Sequence, residues 1–233
     1  MYLNTDVCVL VTGQIACNFP LIKYVLQNMK PKLDQYQYVS SAKLPTHWGK
    51  FRIHGFIDNK LAQEHVALSY GEWDAGDVVL IRIHSECLTG DALFSTRCDC
   101  GAQLEKALEN IVQKGKGVLL YLRQEGRGIG LLNKIRAYQL QDEGMDTVEA
   151  NEHLGFDADI RDYGICKLML DKLNIKNVNL MTNNPKKSLA LTNMGINVAQ
   201  RTPIDHGITD DNRNYIRTKT EKLGHQFDKH LLK

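Results

Sequence analysis

The chain has 233 residues, 43% of them hydrophobic and 24% charged, with 29 basic against 27 acidic side chains and a formal net charge of +2. That length supports one sizeable core or two small ones. The near balance of charge excludes the strong basic excess of a nucleic-acid coat, yet leaves room for a local cationic pocket.

Residues 7–17 form an apolar run, far short of the ~20 residues that span a bilayer. The preceding segment carries Asp6 and no Lys or Arg, the wrong flank for an export signal. With six cysteines and no export flank, the sequence predicts a reducing, cytoplasmic setting without a membrane partner. Residues 1–33 read as an N-terminal extension, with Met29 as an alternative start, ahead of a catalytic domain over 34–225 and a tail over 226–233.

From about Tyr36, β-type runs alternate with helical patterns. Residues 78–84 are β-branched and follow Gly76-Asp77, which predicts a strand. Leu104, Ala107, Leu108, Ile111 and Val112 recur at helical spacing, with Gly115 at the stop. Residues 117–122 predict a buried strand. Residues 131–144 predict a helix bearing Leu132, Ile135, Tyr138 and Leu140. Asp162 predicts an N-cap for a helix running to Lys172. A strand follows over 178–181, a helix opens at Pro185, and another strand covers 196–199. The pattern is α/β: a mixed sheet with helices packed on its faces, in a single catalytic domain.

Three clusters carry chemistry. Cys87, Cys98 and Cys100 fall within fourteen positions. Thiolates are strong zinc ligands, and a tetrahedral ion held by three protein groups keeps one position for water, the pattern of a catalytic site. Buried structural thiols are the other reading. Cys8, Cys17 and Cys166 stand apart in apolar runs and read as packing residues. His84 sits beside the cluster, and the other histidines read as surface or packing residues.

The second cluster, Arg123-Gln-Glu-Gly-Arg-Gly-Ile-Gly130, follows a strand and leads into a helix. Its glycines permit close backbone approach, and Arg127 offers a bidentate partner for phosphate. By itself it reads equally as a turn with a solvated arginine. Lys134, Arg136 and the later Thr182-Asn-Asn-Pro-Lys-Lys187 add cations at strand ends, where an open α/β sheet holds polyphosphates. The third cluster, Asp157-Ala-Asp-Ile-Arg-Asp162, reads either as caps and an ion pair or as proton and phosphoryl handling.

Together these blocks resemble the GTP cyclohydrolase II family. The resemblance is carried by His84-Ser-Glu-Cys-Leu-Thr-Gly-Asp91, Arg97-Cys-Asp-Cys-Gly101, Arg123 to Leu131, Asp146-Thr-Val-Glu-Ala-Asn151, Leu154-Gly-Phe156, Asp159-Ile-Arg161 and Thr182-Asn-Asn-Pro-Lys186. It covers about residues 42–222. It implies hydrolysis of GTP to a diaminopyrimidinone ribosylamine monophosphate with release of formate and pyrophosphate, the first step of riboflavin biosynthesis. It implies one Zn²⁺ per subunit on Cys87, Cys98 and Cys100, Mg²⁺ with the triphosphate, and a homodimer. GTP contacts are implied at Arg82, Ile83, His84, Ser85, Glu86, Gln103, Glu125, Gly126, Arg127, Thr147, Thr182 and Lys187. Asp159 matches the family's general base, Arg161 its nucleophile and Tyr138 an active-site tyrosine. A guanidinium has a pKa above about 12 and stays protonated at neutral pH, so an electrostatic clamp fits Arg161 as well as a nucleophile does. Two other readings fit the same motifs: a ring-opening hydrolase that retains the triphosphate, and a non-catalytic zinc and nucleotide-binding regulator.

Overall fold

The computed structural model describes residues 9–11, 14–16, 34–228 and 230, which divide into two units, 1–35 and 36–233. In the first unit β1 (Val9–Val11) pairs antiparallel with β2 (Gln14–Ala16). Cys8, Cys17 and Met29 lie outside the described residues. No helix of the described residues is long and apolar enough to cross a membrane.

The second unit is built on β3 (Tyr36–Pro45), β4 (Lys50–Asp58), β5 (Gln63–Tyr70), β6 (Val78–Ser85), β7 (Gly117–Leu122), β8 (Asn177–Met181) and β9 (Asn197–Thr202). They form one sheet in the order β3-β4-β5-β7-β6-β8-β9. The first three strands and β7 pair antiparallel, and β7, β6, β8 and β9 pair parallel. The sheet is therefore mixed, as the alternating pattern predicts.

Strand periodicity distributes the core. On β6 and β7, Ile81, Ile83, Val118, Leu120 and Leu122 face one cluster, while Leu80 and Leu119 face the other. The first face is covered by α5 (Ile165–Lys172) and α6 (Pro185–Asn193), through Ile165, Met169, Leu170 and Leu191. The second is covered by α2 (Cys100–Lys114), through Ala107, Leu108 and Ile111. Helix α2 stops where Gly115 turns left-handed at φ 79°, its N–H donating to Val112 O, a conformation that costs glycine little.

The side chains of Leu80, Arg82 and His84 alternate with Ile81 and Ile83, so they share one face of the pleat. That row changes from apolar to ionisable toward the carboxyl end of β6. In register with it, Ser85 lies beside Leu122, and Arg82 beside Met181. The ends of three parallel strands thus meet, the usual place for a ligand in such sheets.

Two helices add to the sequence reading, one in its facing and one in its cap. Helix α3 (Leu131–Asp142) ends before Gly144, and Leu132 and Ile135 are 71% and 51% exposed. Its buried residues are Lys134 and Ala137, because this helix faces a polar pocket rather than the core. Asp162 does not cap α5, whose N-cap is Gly164. Its carboxylate instead accepts from Gly164 N–H at 2.8 Å and from the Tyr36 hydroxyl at 3.0 Å. The acid is used in the preceding turn, which delays the helix start. Three further helices complete the unit: α1 (Leu88–Asp91), α4 (Thr147–His153) and α7 (Arg213–Glu221). Cys166 is fully buried in α5, as a packing residue should be.

Candidate metal centre and anion pocket

Cys87 follows the end of β6, Cys98 lies in the turn before α2, and Cys100 opens that helix. Their sulfurs all lie within 4.8 Å of one another, with Cys87 Sγ 3.5 Å from Cys98 Sγ. Glycine makes this approach possible. A Cβ on Gly90 would sit 2.9 Å from Cys98 Sγ, and one on Gly101 would sit 2.2 Å from Gly90 O. The Asp91 carboxylate ties the loop down, accepting from Cys87 N at 3.0 Å, Tyr121 Oη at 2.8 Å and His84 Nε2 at 3.0 Å. His84 is thereby committed to Asp91 and is not part of the sulfur cluster. Burial lowers its pKa.

Three sulfurs this close cannot all ionise without a cation. Hydrogen bonds from Cys100 and Cys98, with Lys134 nearby, lower the pKa of Cys87, and the bond to Cys87 raises that of Cys100. Lys134 Nζ donates to Cys87 Sγ at 3.1 Å, Thr89 Oγ1 at 2.9 Å and Glu125 Oε1 at 2.8 Å. The sequence grouped this lysine with the phosphate loop; the structure turns it to the cysteines. Glu125 Oε1 also accepts from Gly126 N at 2.9 Å, and Oε2 from Leu88 N at 2.6 Å. Tyr138 Oη lies 3.2 Å from Thr89 Oγ1, and burial raises its pKa, so the phenol is a proton donor.

The cysteines open onto a cavity of about 910 Å³ of empty space, counting the part open to solvent. Arg82, His84, Ser85, Glu86, Gln103, Glu125, Gly126, Arg127, Tyr138, Thr147, Arg161 and Lys187 line it, so most residues singled out in the sequence converge. Three are placed otherwise. The Ile83 side chain is in the core, and its carbonyl accepts from Lys187 Nζ at 2.7 Å. Thr182 is buried, its Oγ1 accepting from Asn184 N at 3.0 Å. Asp159 is not a lining residue, but both its oxygens hold Arg161, at 2.8 Å from Nε and 2.7 Å from Nη2.

The cavity is rich in unclaimed donors. Both terminal nitrogens of Arg127, Arg82 Nε and Asn184 Nδ2 are buried without a partner. Arg127 sits at φ 60° between Gly126 at 62° and Gly128 at 100°, an unusual backbone for a residue with a Cβ. Burial lowers the pKa of Lys187 strongly, helped by Arg82 and Arg161. Burial works to raise Asp159, but the Arg161 fork holds it below the usual carboxylate range. Unpaired buried donors and crowded cations call for an anionic ligand.

Sequence reasoning missed Tyr215, Lys219 and His225, which also line the cavity. They come from α7 and the turn after it, far along the chain. The only local signal is Tyr215, Ile216 and Lys219 at helical spacing.

Residues 37–203 match the family described as GTP cyclohydrolase II. The GTP cyclohydrolase-2 of Pseudomonas putida (strain W619) is 62% identical over 190 residues, 82% of this chain and 93% of that protein. The GTP cyclohydrolase-2 of Shewanella denitrificans is 58% identical over 193 residues, 83% of this chain and 94% of that protein. A riboflavin biosynthesis protein of Vibrio vulnificus (strain YJ016) is 57% identical over 213 residues, 91% of this chain. The chain spans 58% of that longer relative. The matched stretch takes in all three cysteines, and with these identities it shows that the chain belongs to the GTP cyclohydrolase II family of enzymes.

Proposed function

We propose that the chain is a zinc-dependent GTP cyclohydrolase II, acting in the first step of riboflavin biosynthesis. It hydrolyses GTP to 2,5-diamino-6-(5-phosphoribosylamino)pyrimidin-4(3H)-one with release of formate and pyrophosphate. One observation carries the reading: a single cavity joins a three-cysteine cluster to buried, unpaired cations. The donor set fits zinc, since three soft sulfurs converge and His84, in the adjoining strand β6, is held by Asp91. One zinc ion per subunit, when bound, supplies Lewis acidity for water attack on C8 of the purine.

The protein's own groups divide the remaining work. Tyr138, kept protonated by burial, donates to the ring nitrogen that leaves as the imidazole opens. Arg127 turns its free guanidinium toward the triphosphate. A phosphate reaching Lys187 gives that lysine the counter-charge its burial withholds. Arg161 is held by Asp159 and its pKa is raised, though burial opposes this. A protonated guanidinium is no nucleophile, so Arg161 acts as an electrostatic clamp and Asp159 as its orienter. The Glu125 carboxylate is taken up by Lys134 and two backbone N–H groups, which makes it an organiser of the loop. In line with the family resemblance, the triphosphate binds with Mg²⁺ and the enzyme is a cytoplasmic homodimer.

The deciding experiment supplies GTP alone and measures formate and pyrophosphate. Both are expected in equal amounts, with formate abolished in Cys98→Ser or after zinc removal. A ring-opened product that keeps its triphosphate would establish the other hydrolase reading, and zinc-loaded protein that releases no formate would overturn catalysis.

A further inference from the structure

The segment that closes the cavity lies beyond the family match, which ends at residue 203. Three of its side chains, Tyr215, Lys219 and His225, line the pocket beside Arg127, Arg161 and Lys187. Its docking is specific. Lys219 Nζ pairs with Asp99 Oδ1 at 2.5 Å, and Asp99 stands between the ligand cysteines Cys98 and Cys100. The other Asp99 oxygen accepts from Gln103 Nε2 at 2.7 Å, and Gln103 Oε1 accepts from Arg82 Nη2 at 2.7 Å. One buried chain of bonds therefore links α7, the cysteine loop and β6. Lys222 pairs with Asp146 and Glu149 at the start of α4, and Gln226 N donates to Asn183 O at 2.8 Å.

This anchoring fixes His225 between them. Its N–H donates to Lys219 O at 3.0 Å, and its ring stacks on Phe227 with centroids 6.1 Å apart. Among the described residues, no hydrogen bond claims either ring nitrogen. Burial pushes its pKa down to about 2, helped by four cations, Lys219, Lys187, Arg161 and Arg127. His225 lines the same cavity as all four of these cations. An imidazole with free nitrogens there is suited to a polyanion, which would satisfy the ring and the cations together.

We propose that His225 is a substrate-binding residue for the polyphosphate and that the C-terminal segment completes this subsite, favouring nucleoside triphosphate over monophosphate. The inference rests on the GTP reading. Because Arg82, Gln103 and Asp99 connect the segment to the cysteine loop, the subsite is built in register with the metal centre.

The test compares the parental protein with His225→Ala and His225→Gln, all zinc-loaded, using GTP as substrate and inorganic tripolyphosphate or GMP as inhibitors. His225→Ala should raise both KM for GTP and the tripolyphosphate inhibition constant about tenfold, the size of one lost charge-assisted hydrogen bond. GMP inhibition and zinc content should stay parental, kcat should stay within about threefold, and His225→Gln should fall between. Unchanged KM and tripolyphosphate inhibition in both variants would overturn the proposal. So would equal weakening of GTP, tripolyphosphate and GMP with a lowered thermal midpoint, the mark of a structural role. Failure of the underlying reading looks different, since the parental protein would then release no formate.

Discussion

Lys134 occupies the inward face of α3, where an apolar residue is the ordinary choice, and its ammonium meets Cys87, Thr89 and Glu125. An N–H donor on a thiolate draws electron density from the sulfur. Lys134→Met should therefore raise the iodoacetamide alkylation rate of the zinc-loaded cysteines about fivefold, on the scale of one lost hydrogen bond of roughly 1 kcal/mol. An unchanged rate would remove Lys134 from the electronics of the centre. Arg161 poses a sharper question. Lysine keeps the charge and loses the fork that grips Asp159 at 2.8 and 2.7 Å. Arg161→Lys should lower turnover of GTP about 100-fold through misplacement alone. Parental rates of formate and pyrophosphate release in that variant would rule out an obligatory part for the guanidinium.

Among the elements, α7 is docked by a buried ion pair. Lys219 and Asp99 have 10% and 0% of their side chains exposed. Removing one partner leaves a buried charge alone, which typically costs about 3–5 kcal/mol. Lys219→Met should lower the denaturant midpoint accordingly; a midpoint within the error of the parental value would show that α7 docks without the pair. The elements that the sequence revealed are those with strong local periodicity. β6 and β7 read as apolar runs, α2 as a repeat ending at Gly115, and α6 as a helix opening on Pro185. Helix α3 was legible as a helix but not in its facing: Leu132 and Ile135 face outward, while its inward side carries Lys134 and Ala137. Asp162 misled because an aspartate before a helix can cap the turn instead.

For the whole molecule, acid sensitivity follows from its buried histidines. Burial lowers the pKa of His54, His65 and His84. His65 Nδ1 accepts from Arg123 N at 3.0 Å, a role open to the neutral ring alone. A group whose pKa is depressed on folding contributes stability above its unfolded value, near ~6.5 for histidine, and loses it as pH falls toward the folded value. The thermal midpoint should therefore decline from pH 7 to pH 5, with a shallower decline in His65→Asn held in the same metal state. Equal slopes in the two proteins would exclude His65 from the effect.

By itself the sequence determined the alternation of strands and helices, the three thiols and the glycine-rich turn, because each is a local pattern of spacing and residue type. Only the tertiary structure decided that Lys134 serves the cysteines, that Glu125 is already occupied, and that Lys219 and His225 belong to the pocket. Those contacts join residues 47, 37 and 120 positions apart. Pairings over such distances depend on how the sheet ends and α7 come together, and no local pattern encodes that.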